Sequence, residues 1–176
     1  MVNSNNINDL HPVVRNKAKA HQDNCRKRGI DIIFTSTYRD NEFQASLYEK
    51  GRTKPGGIVT NMKVTAAHGK RLAYDVVPVI NGEAIWDRDD LWKIVGQEGK
   101  RLGMSWGGDW RSLIDKSHFE LTDGLSSSQI ISGILPEWYG FKELKDYVEY
   151  RTGFHRATID FFRAYKYEEG IFTKLS

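Results

Sequence analysis

An aspartate stands inside the most apolar run of this chain, Leu72-Ala73-Tyr74-Asp75-Val76-Val77-Pro78-Val79-Ile80. The run is short and rich in β-branched residues, so it reads as a buried strand. A buried carboxylate is costly unless a cation or a hydrogen-bond network meets it. Whatever fold the chain takes must therefore bring partners to Asp75. A disulfide cannot help to shape that fold, because Cys25 is the sole cysteine, and a Cys-rich zinc finger is excluded for the same reason. Five histidines and a good supply of carboxylates are left for metal chemistry.

The length of 176 residues suits one main domain. Leu10 to Lys27 carries an apolar face of Val13, Val14, Ala18 and Ala20, with Pro12 in its first turn. It ends in a basic turn followed by Gly29, so a helix is expected. Ile30–Ser36 reads as a strand, and Asn41–Glu49 as a second helix stopped by Gly51. Gly51–Gly57 is a loop, and the stretch from there to Ala67 has little periodicity. Asn81-Gly82 signals a hairpin, with a short return through Ile85-Trp86. Asp89–Leu102 reads as a third helix and Ser117–Thr122 as a last short strand. Beyond Gly124 the strand signals fade. Phe141–Arg151 and a segment capped by Thr158, with Ile159, Phe161, Phe162 and Tyr165, read as helical.

Composition closes off several function classes. Hydrophobic residues at 39% and charged residues at 28% argue against a disordered chain. Lys and Arg number 26 against 23 Asp and Glu, a net +3 that is too even to predict nucleic-acid binding, so none is expected. No apolar run approaches the roughly 18 residues that span a bilayer, so no membrane insertion is expected. Met1–Asn6 is polar and lacks a signal-peptide core, so cytoplasmic synthesis without Sec-type export is expected.

Two islands could carry chemistry: His68-Gly69-Lys70-Arg71-Leu72-Ala73-Tyr74-Asp75, and Trp106–Trp110 followed by Asp115-Lys116-Ser117-His118-Phe119-Glu120. A catalytic zinc takes three protein ligands of imidazole nitrogen or carboxylate oxygen and keeps one open position. His68, Asp75 and His118 would supply such a set. Asp115, three residues before His118, would sit close enough to move a proton. Arg39 would bind a substrate carboxylate or stabilise a developing oxyanion. Plain structural readings stand beside these. Asp75 could be a buried acid paired with an arginine, Trp106-Gly107-Gly108 a tight turn, and Asp115 a loop carboxylate. His11, His21 and His155 read as structural or surface residues.

The islands together resemble the zinc peptidases of the VanY/D-alanyl-D-alanine carboxypeptidase class, in particular the L-alanyl-D-glutamate endopeptidases of phage endolysin type. The resemblance runs in order through residues 7–123: Leu10–Arg15, Thr35-Ser36-Thr37-Tyr38-Arg39, Gln44, Leu47-Tyr48, Gly51–Gly56, Ile58–Asn61, His68…Ala73-x-Asp75, Trp106–Trp110 and Asp115-x-x-His118-Phe119-Glu120. It implies Zn2+ held by His68, Asp75 and His118, with Asp115 as general base and acid. It implies Arg39 as the cation facing the scissile carbonyl or a nearby carboxylate, and Ser36 and Gln44 as residues that line or support the cleft.

The implied fold is α+β, a small mostly antiparallel sheet with packed helices of the hedgehog/DD-peptidase type, followed by a short helical C-terminal segment. The implied activity is cleavage of the L-Ala–D-Glu bond in bacterial peptidoglycan during host lysis, after holin-type release to the cell wall. The alternatives are a D,D-carboxypeptidase or dipeptidase acting on D-Ala-D-Ala, and a zinc-containing wall-binding module without catalysis. The sequence departs from the family pattern Ser-x-His-x-x-Gly-x-Ala-x-Asp at Ala66 and Arg71, which replace the serine and the glycine. The expected division is a catalytic domain over 1–123, a linker over 124–136 and a small helical module over 137–176. That module would serve wall binding, or dimerisation to a homodimer.

Overall fold

The computed structural model describes residues 1–143, 146–147, 165–168 and 171–174. They divide into two units, Met1–Pro136 and Glu137–Ser176. In chain order the first unit opens with β1 (Asn3–Ser4), α1 (Pro12–Lys27), β2 (Asp31–Ser36), β3 (Tyr38–Arg39) and α2 (Asn41–Glu49). It continues with β4 (Ala73–Ile80), β5 (Glu83–Ala84), α3 (Asp89–Arg101), β6 (Ser105–Trp106), β7 (His118–Glu120) and α4 (Ser127–Ile131).

The expected α+β fold is what forms. Five strands make an antiparallel sheet in the order β2-β4-β7-β6, with β5 also paired to β4. The run around Asp75 becomes β4, flanked by β2 on one edge and by β7 and β5 on the other. Residues Ala73, Tyr74, Val76 and Val77 are fully buried, as a central strand covered on both faces requires. The Asn81-Gly82 turn has φ of 52° and 84°, the two positive values that a type I′ hairpin turn needs.

Helix α1 starts at Pro12 rather than Leu10, because Leu10 closes a preceding 3-10 turn, Ile7–Asp9. His11 then caps α1, its Nδ1 accepting the Val13 N–H at 3.3 Å. Helix α1 packs on α3 and β2. Its fully buried His21 ties three elements together. One ring nitrogen meets the Tyr74 hydroxyl of β4 at 3.0 Å, the other meets the Val95 carbonyl of α3 at 2.8 Å, and the ring edges against Phe119 of β7. Burial lowers the pKa of His21 and keeps it neutral. His11 and His21 are thus structural, as read from the sequence. His155 lies outside the described residues.

Helix α3 lies close against the sheet because two of its positions are glycine. A Cβ on Gly96 would come within 2.5 Å of the Trp106 ring, and one on Gly99 would run into the Phe119 ring. Phe119 is fully buried and stacks on Tyr74, so it has nowhere to retreat. Gly99→Ala is expected to cost about 1–3 kcal/mol. A lowered urea midpoint at unchanged slope is the measurement.

Residues 124–136, expected as a linker, fall within the first unit and carry α4. A reciprocal pair between Ser126 and Gln129 caps that helix, and Ile130 is buried. In the second unit, Glu137–Gly140 forms a 3-10 turn, and the Tyr147 hydroxyl donates to Glu137. Tyr165, read from the sequence as part of a helix, instead begins β8 (Tyr165–Glu168), which pairs antiparallel with β9 (Ile171–Lys174). The rest of that expected helix lies outside the described residues. Among the described residues no helix is long and apolar enough to cross a membrane.

Candidate metal centre

Strand register builds the site. Asp75 of β4 stands opposite Ser36 of β2 on one edge and opposite His118 of β7 on the other. The β2 ladder slips by one residue between Phe34 and Ser36, and that bulge brings Ser36 level with Asp75. His68 enters from a 3-10 turn, His68–Lys70, just before β4. Its Nε2 lies 3.2 Å from Asp75 Oδ1 and 3.3 Å from His118 Nδ1, while His118 Nδ1 lies 3.1 Å from Asp75 Oδ1.

These three atoms form a near-equilateral triangle. Ligand atoms about 2.0–2.1 Å from a tetrahedral zinc lie about 3.3–3.4 Å apart. The donor set and its spacing therefore fit a metal ion held by His68, Asp75 and His118. His118 turns its other nitrogen to Glu120 Oε2 at 3.1 Å, the carboxylate contact that fixes a ligand imidazole's tautomer and orientation. Residues i and i+2 of a strand share a face, so the signal for Glu120 was present in His118-Phe119-Glu120. Sequence reasoning missed it.

Without a metal, the three groups share charge. Burial alone would raise Asp75, but His68 and His118 outweigh it and hold the carboxyl well below its ordinary range. Burial opposes charge on His118 as well. The hydrogen bonds that His118 donates to Asp75 and Glu120 overcome it and raise His118 to about 10. His68 goes the other way, lowered chiefly by burial. The pair at rest is thus a carboxylate and an imidazolium, with His68 neutral.

Arg39 sits on β3 with its guanidinium in the same cluster. Nη2 pairs with Asp75 Oδ2 and meets His68 Nε2 at 3.2 Å. The buried side chains of Ser36 and Gln44 hold it there: Ser36 Oγ accepts from Nε at 3.4 Å and Nη2 at 3.3 Å, and Gln44 Oε1 accepts from Nη1 at 3.4 Å. Gln44 is fixed in turn by donating to Thr60 Oγ1 and the Met62 carbonyl. Ser36 donates its own proton to Asn3 Oδ1 at 2.7 Å. Strand β1, paired to β3, thereby buttresses Arg39 through Ser36. Nothing in the local sequence at Asn3 announces that role. Asp75 meets Arg39 through Oδ2 and the two imidazoles through Oδ1, so the arginine-paired and metal-ligand readings of this residue use different oxygens.

Asp115 lines a cleft of about 280 Å³ together with Arg39, Gln44, His68, Trp110, His118 and Glu120. Its Oδ1 accepts from Ser117 N at 3.1 Å and Ser117 Oγ at 2.6 Å. Its backbone N–H donates to the Gly107 carbonyl, and its carbonyl accepts from His118 N. A Cβ on Gly107 would collide with that Asp115 carbonyl and come within 3.2 Å of the His118 Cβ. The Trp106-Gly107-Gly108 turn is therefore a close-packing device that sets Asp115 beside a ligand strand. The Trp110 ring stands 5.1 Å from the His118 imidazole.

The departure at Arg71 has a local answer. Arg71 takes φ 64°, the left-handed conformation in which a glycine costs nothing and a side chain costs roughly 1–2 kcal/mol. Its carbonyl accepts from His11 N at 3.0 Å, its Nη1 donates to the Asp9 carbonyl at 2.6 Å, and its guanidinium lies over the Tyr38 ring. These ties offset the strain. Ala66 is buried and offers no hydroxyl to the cleft it lines.

A two-histidine, one-aspartate centre in a cleft, with a carboxylate and an arginine beside it, is the layout of a mononuclear metallopeptidase. Comparisons with known proteins agree. A family model described as D-alanyl-D-alanine carboxypeptidase matches residues 60–121. The chain is 36% identical over 123 residues to the peptidoglycan L-alanyl-D-glutamate endopeptidase CwlK of Bacillus subtilis, spanning 64% of this chain and 74% of that protein. It is 26% identical over 117 residues to an L-alanyl-D-glutamate peptidase of a Listeria phage, spanning 65% of this chain and 39% of that one. The crystal structure of the Serratia marcescens L-Ala D-Glu endopeptidase ChiX shares the fold, with a TM-score of 0.52 at 20% identity over 66% of this chain and 84% of that one. The chain belongs to the L-alanyl-D-glutamate endopeptidase family of the VanY/D-alanyl-D-alanine carboxypeptidase class of zinc peptidases.

Proposed function

We propose that this protein is a zinc-dependent endopeptidase that cuts the L-Ala–D-Glu bond of the peptidoglycan stem peptide. The observation that carries the reading is the 3.1–3.3 Å triangle of His68, Asp75 and His118 atoms in a cleft that also holds Asp115. The activities named for the Bacillus and Listeria-phage relatives support the choice of bond. A bound zinc would polarise the scissile carbonyl and acidify a water. Asp115 would take the proton from the attacking water and return it to the leaving amine as the C–N bond breaks. Arg39, locked by Ser36 and Gln44, would face the developing oxyanion or a substrate carboxylate. A lytic role after holin-type release belongs to the same proposal. So does a homodimer through residues 137–176, which light scattering of the full chain checks against the monomer mass of 20.2 kDa.

The deciding experiment is a digest of purified Gram-positive peptidoglycan with and without chelator, reading new amino termini by mass spectrometry. New N-terminal D-Glu that vanishes with chelator and returns with zinc is expected. Released D-Ala without new D-Glu would move the activity to a carboxypeptidase. No new termini with zinc still bound would leave the binding-module alternative.

Metal binding is expected to be coupled to protons. A zinc ligand must be deprotonated, yet His118 carries its proton up to about pH 10 in the metal-free protein. Zinc should displace about one proton at pH 7, and affinity should climb with pH. Calorimetry in two buffers of different ionisation enthalpy measures the release. Equal heats in both would contradict it. For the metal-free fold the sign is reversed: charged His118 contributes stability that is full below about pH 6.5 and lost as pH rises through about 10.

A further inference from the structure

Asp115 lines two hollows. One is the cleft of the metal centre. The other is a groove of about 260 Å³ formed by Trp86, Trp92, Ile114, Asp115, Lys116 and Ser117. The proposed chemistry uses nothing in this groove besides Asp115. Two of its three apolar residues are unusually open: Trp86 is 57% exposed and Ile114 60%. Trp86 is nonetheless held in place. Its ring leans on the buried Trp92 ring at 6.1 Å between centroids, and its carbonyl accepts the Trp92 indole N–H at 3.1 Å. Polar groups complete the lining. The Lys116 ammonium pairs with Asp89 Oδ1 at 2.6 Å, and the Ser117 hydroxyl donates to Asp115. A fixed, open indole with charged and hydroxyl groups at its margin suits a pyranose, whose C–H face packs on the ring while its hydroxyls reach the polar groups.

The substrate of the proposed reaction supplies such a sugar at close range. The L-alanine whose carbonyl is attacked is amide-linked through its amine to the lactyl arm of a muramoyl sugar. That sugar therefore lies one residue from the bond that breaks. A groove that shares Asp115 with the cleft lies within reach of it. We infer that the Trp86–Ile114 groove is a subsite for the muramoyl sugar of the glycan strand. The inference rests on the L-Ala–D-Glu reading, since a cut further down the stem would carry the sugar away from Asp115. Binding energy gathered on the sugar would serve to seat the adjoining peptide for attack.

The test compares two substrates, a disaccharide-linked stem peptide and the same peptide freed of sugar, on wild type, Trp86→Ala and Ile114→Ser. Both residues are exposed, and melting temperatures check that each variant folds. The ratio of kcat/KM on the sugar-linked peptide to that on the free peptide should fall about tenfold in Trp86→Ala and severalfold in Ile114→Ser. An unchanged ratio in both variants overturns the subsite, whether activity stays or falls equally on the two substrates. An independent arm titrates the GlcNAc–MurNAc disaccharide and follows indole N–H resonances. A selective shift at Trp86 supports the subsite, and no shift at millimolar sugar overturns it. This arm needs no cleavage, so it separates failure of the subsite from failure of the L-Ala–D-Glu assignment, which the wild-type digest reads by itself.

Discussion

Asp115→Ala is expected to keep its zinc and to lose cleavage by about 10²–10⁴-fold, the span that a positioned acid–base group contributes. The argument rests on what the substitution leaves alone. The donor atoms belong to His68, Asp75 and His118, and the β4–β7 register that gathers the last two does not pass through the Asp115 side chain. The loop around Asp115 is held by its backbone, through Gly107 and His118, and by the Trp106 indole donating to the Lys116 carbonyl at 2.8 Å. None of these bonds needs the carboxylate. Its partner Ser117 is only half-buried and regains water. Metal content by elemental analysis and cleavage by new amino termini are to be measured on the same preparation. Unchanged cleavage would remove Asp115 from the chemistry. Loss of metal together with cleavage would make it a structural support of the centre.

The sequence announced the site more fully than the route by which the fold assembles it. Asp75 was conspicuous because a charge inside an apolar strand demands an explanation, and His68 and His118 were legible as groups able to answer it, whereas Arg39 was legible only as a substrate-facing cation and not as the partner of Asp75. Helix α2 and strand β4 followed from periodicity and breakers. Register was not legible. That Ser36, Asp75 and His118 stand in one row depends on pairing across long sequence gaps and on a bulge after Phe34, and no local pattern encodes either. Two-residue strands such as β1 and β3 are too short to show a period, so the buttress from Asn3 through Ser36 to Arg39 was invisible. Glu120 was readable from strand spacing and was overlooked. Tyr165 was read as helical because short aromatic runs satisfy either period.

Asp75→Ala is expected to be the most damaging substitution at the site, because Asp75 serves the fold as well as the metal. Its side chain is only 13% exposed, and it meets Arg39, His68 and His118 at once. Removing it takes one of the three proposed metal ligands. It also strands the equally buried Arg39 guanidinium and takes from His118 one of the two carboxylates that hold its charge. Breaking one partner out of a buried ion pair costs about 3–5 kcal/mol, so the metal-free variant should be far less stable than the metal-free wild type. His68→Ala is the control. It should lose zinc and activity just as completely while leaving Asp75 with Arg39 and His118, and so should unfold at a denaturant concentration between the other two. The pH dependence has a definite sign. A carboxyl held below its ordinary value of 3.8 contributes stability above that pH and loses it as the pH falls through its folded-state value. The gap between wild type and Asp75→Ala should therefore be widest near neutrality and close in strong acid. Metal-free Asp75→Ala as stable as wild type at pH 7 would show that the ion pair with Arg39 contributes nothing to the fold. Retained zinc would show that Asp75 is not a ligand.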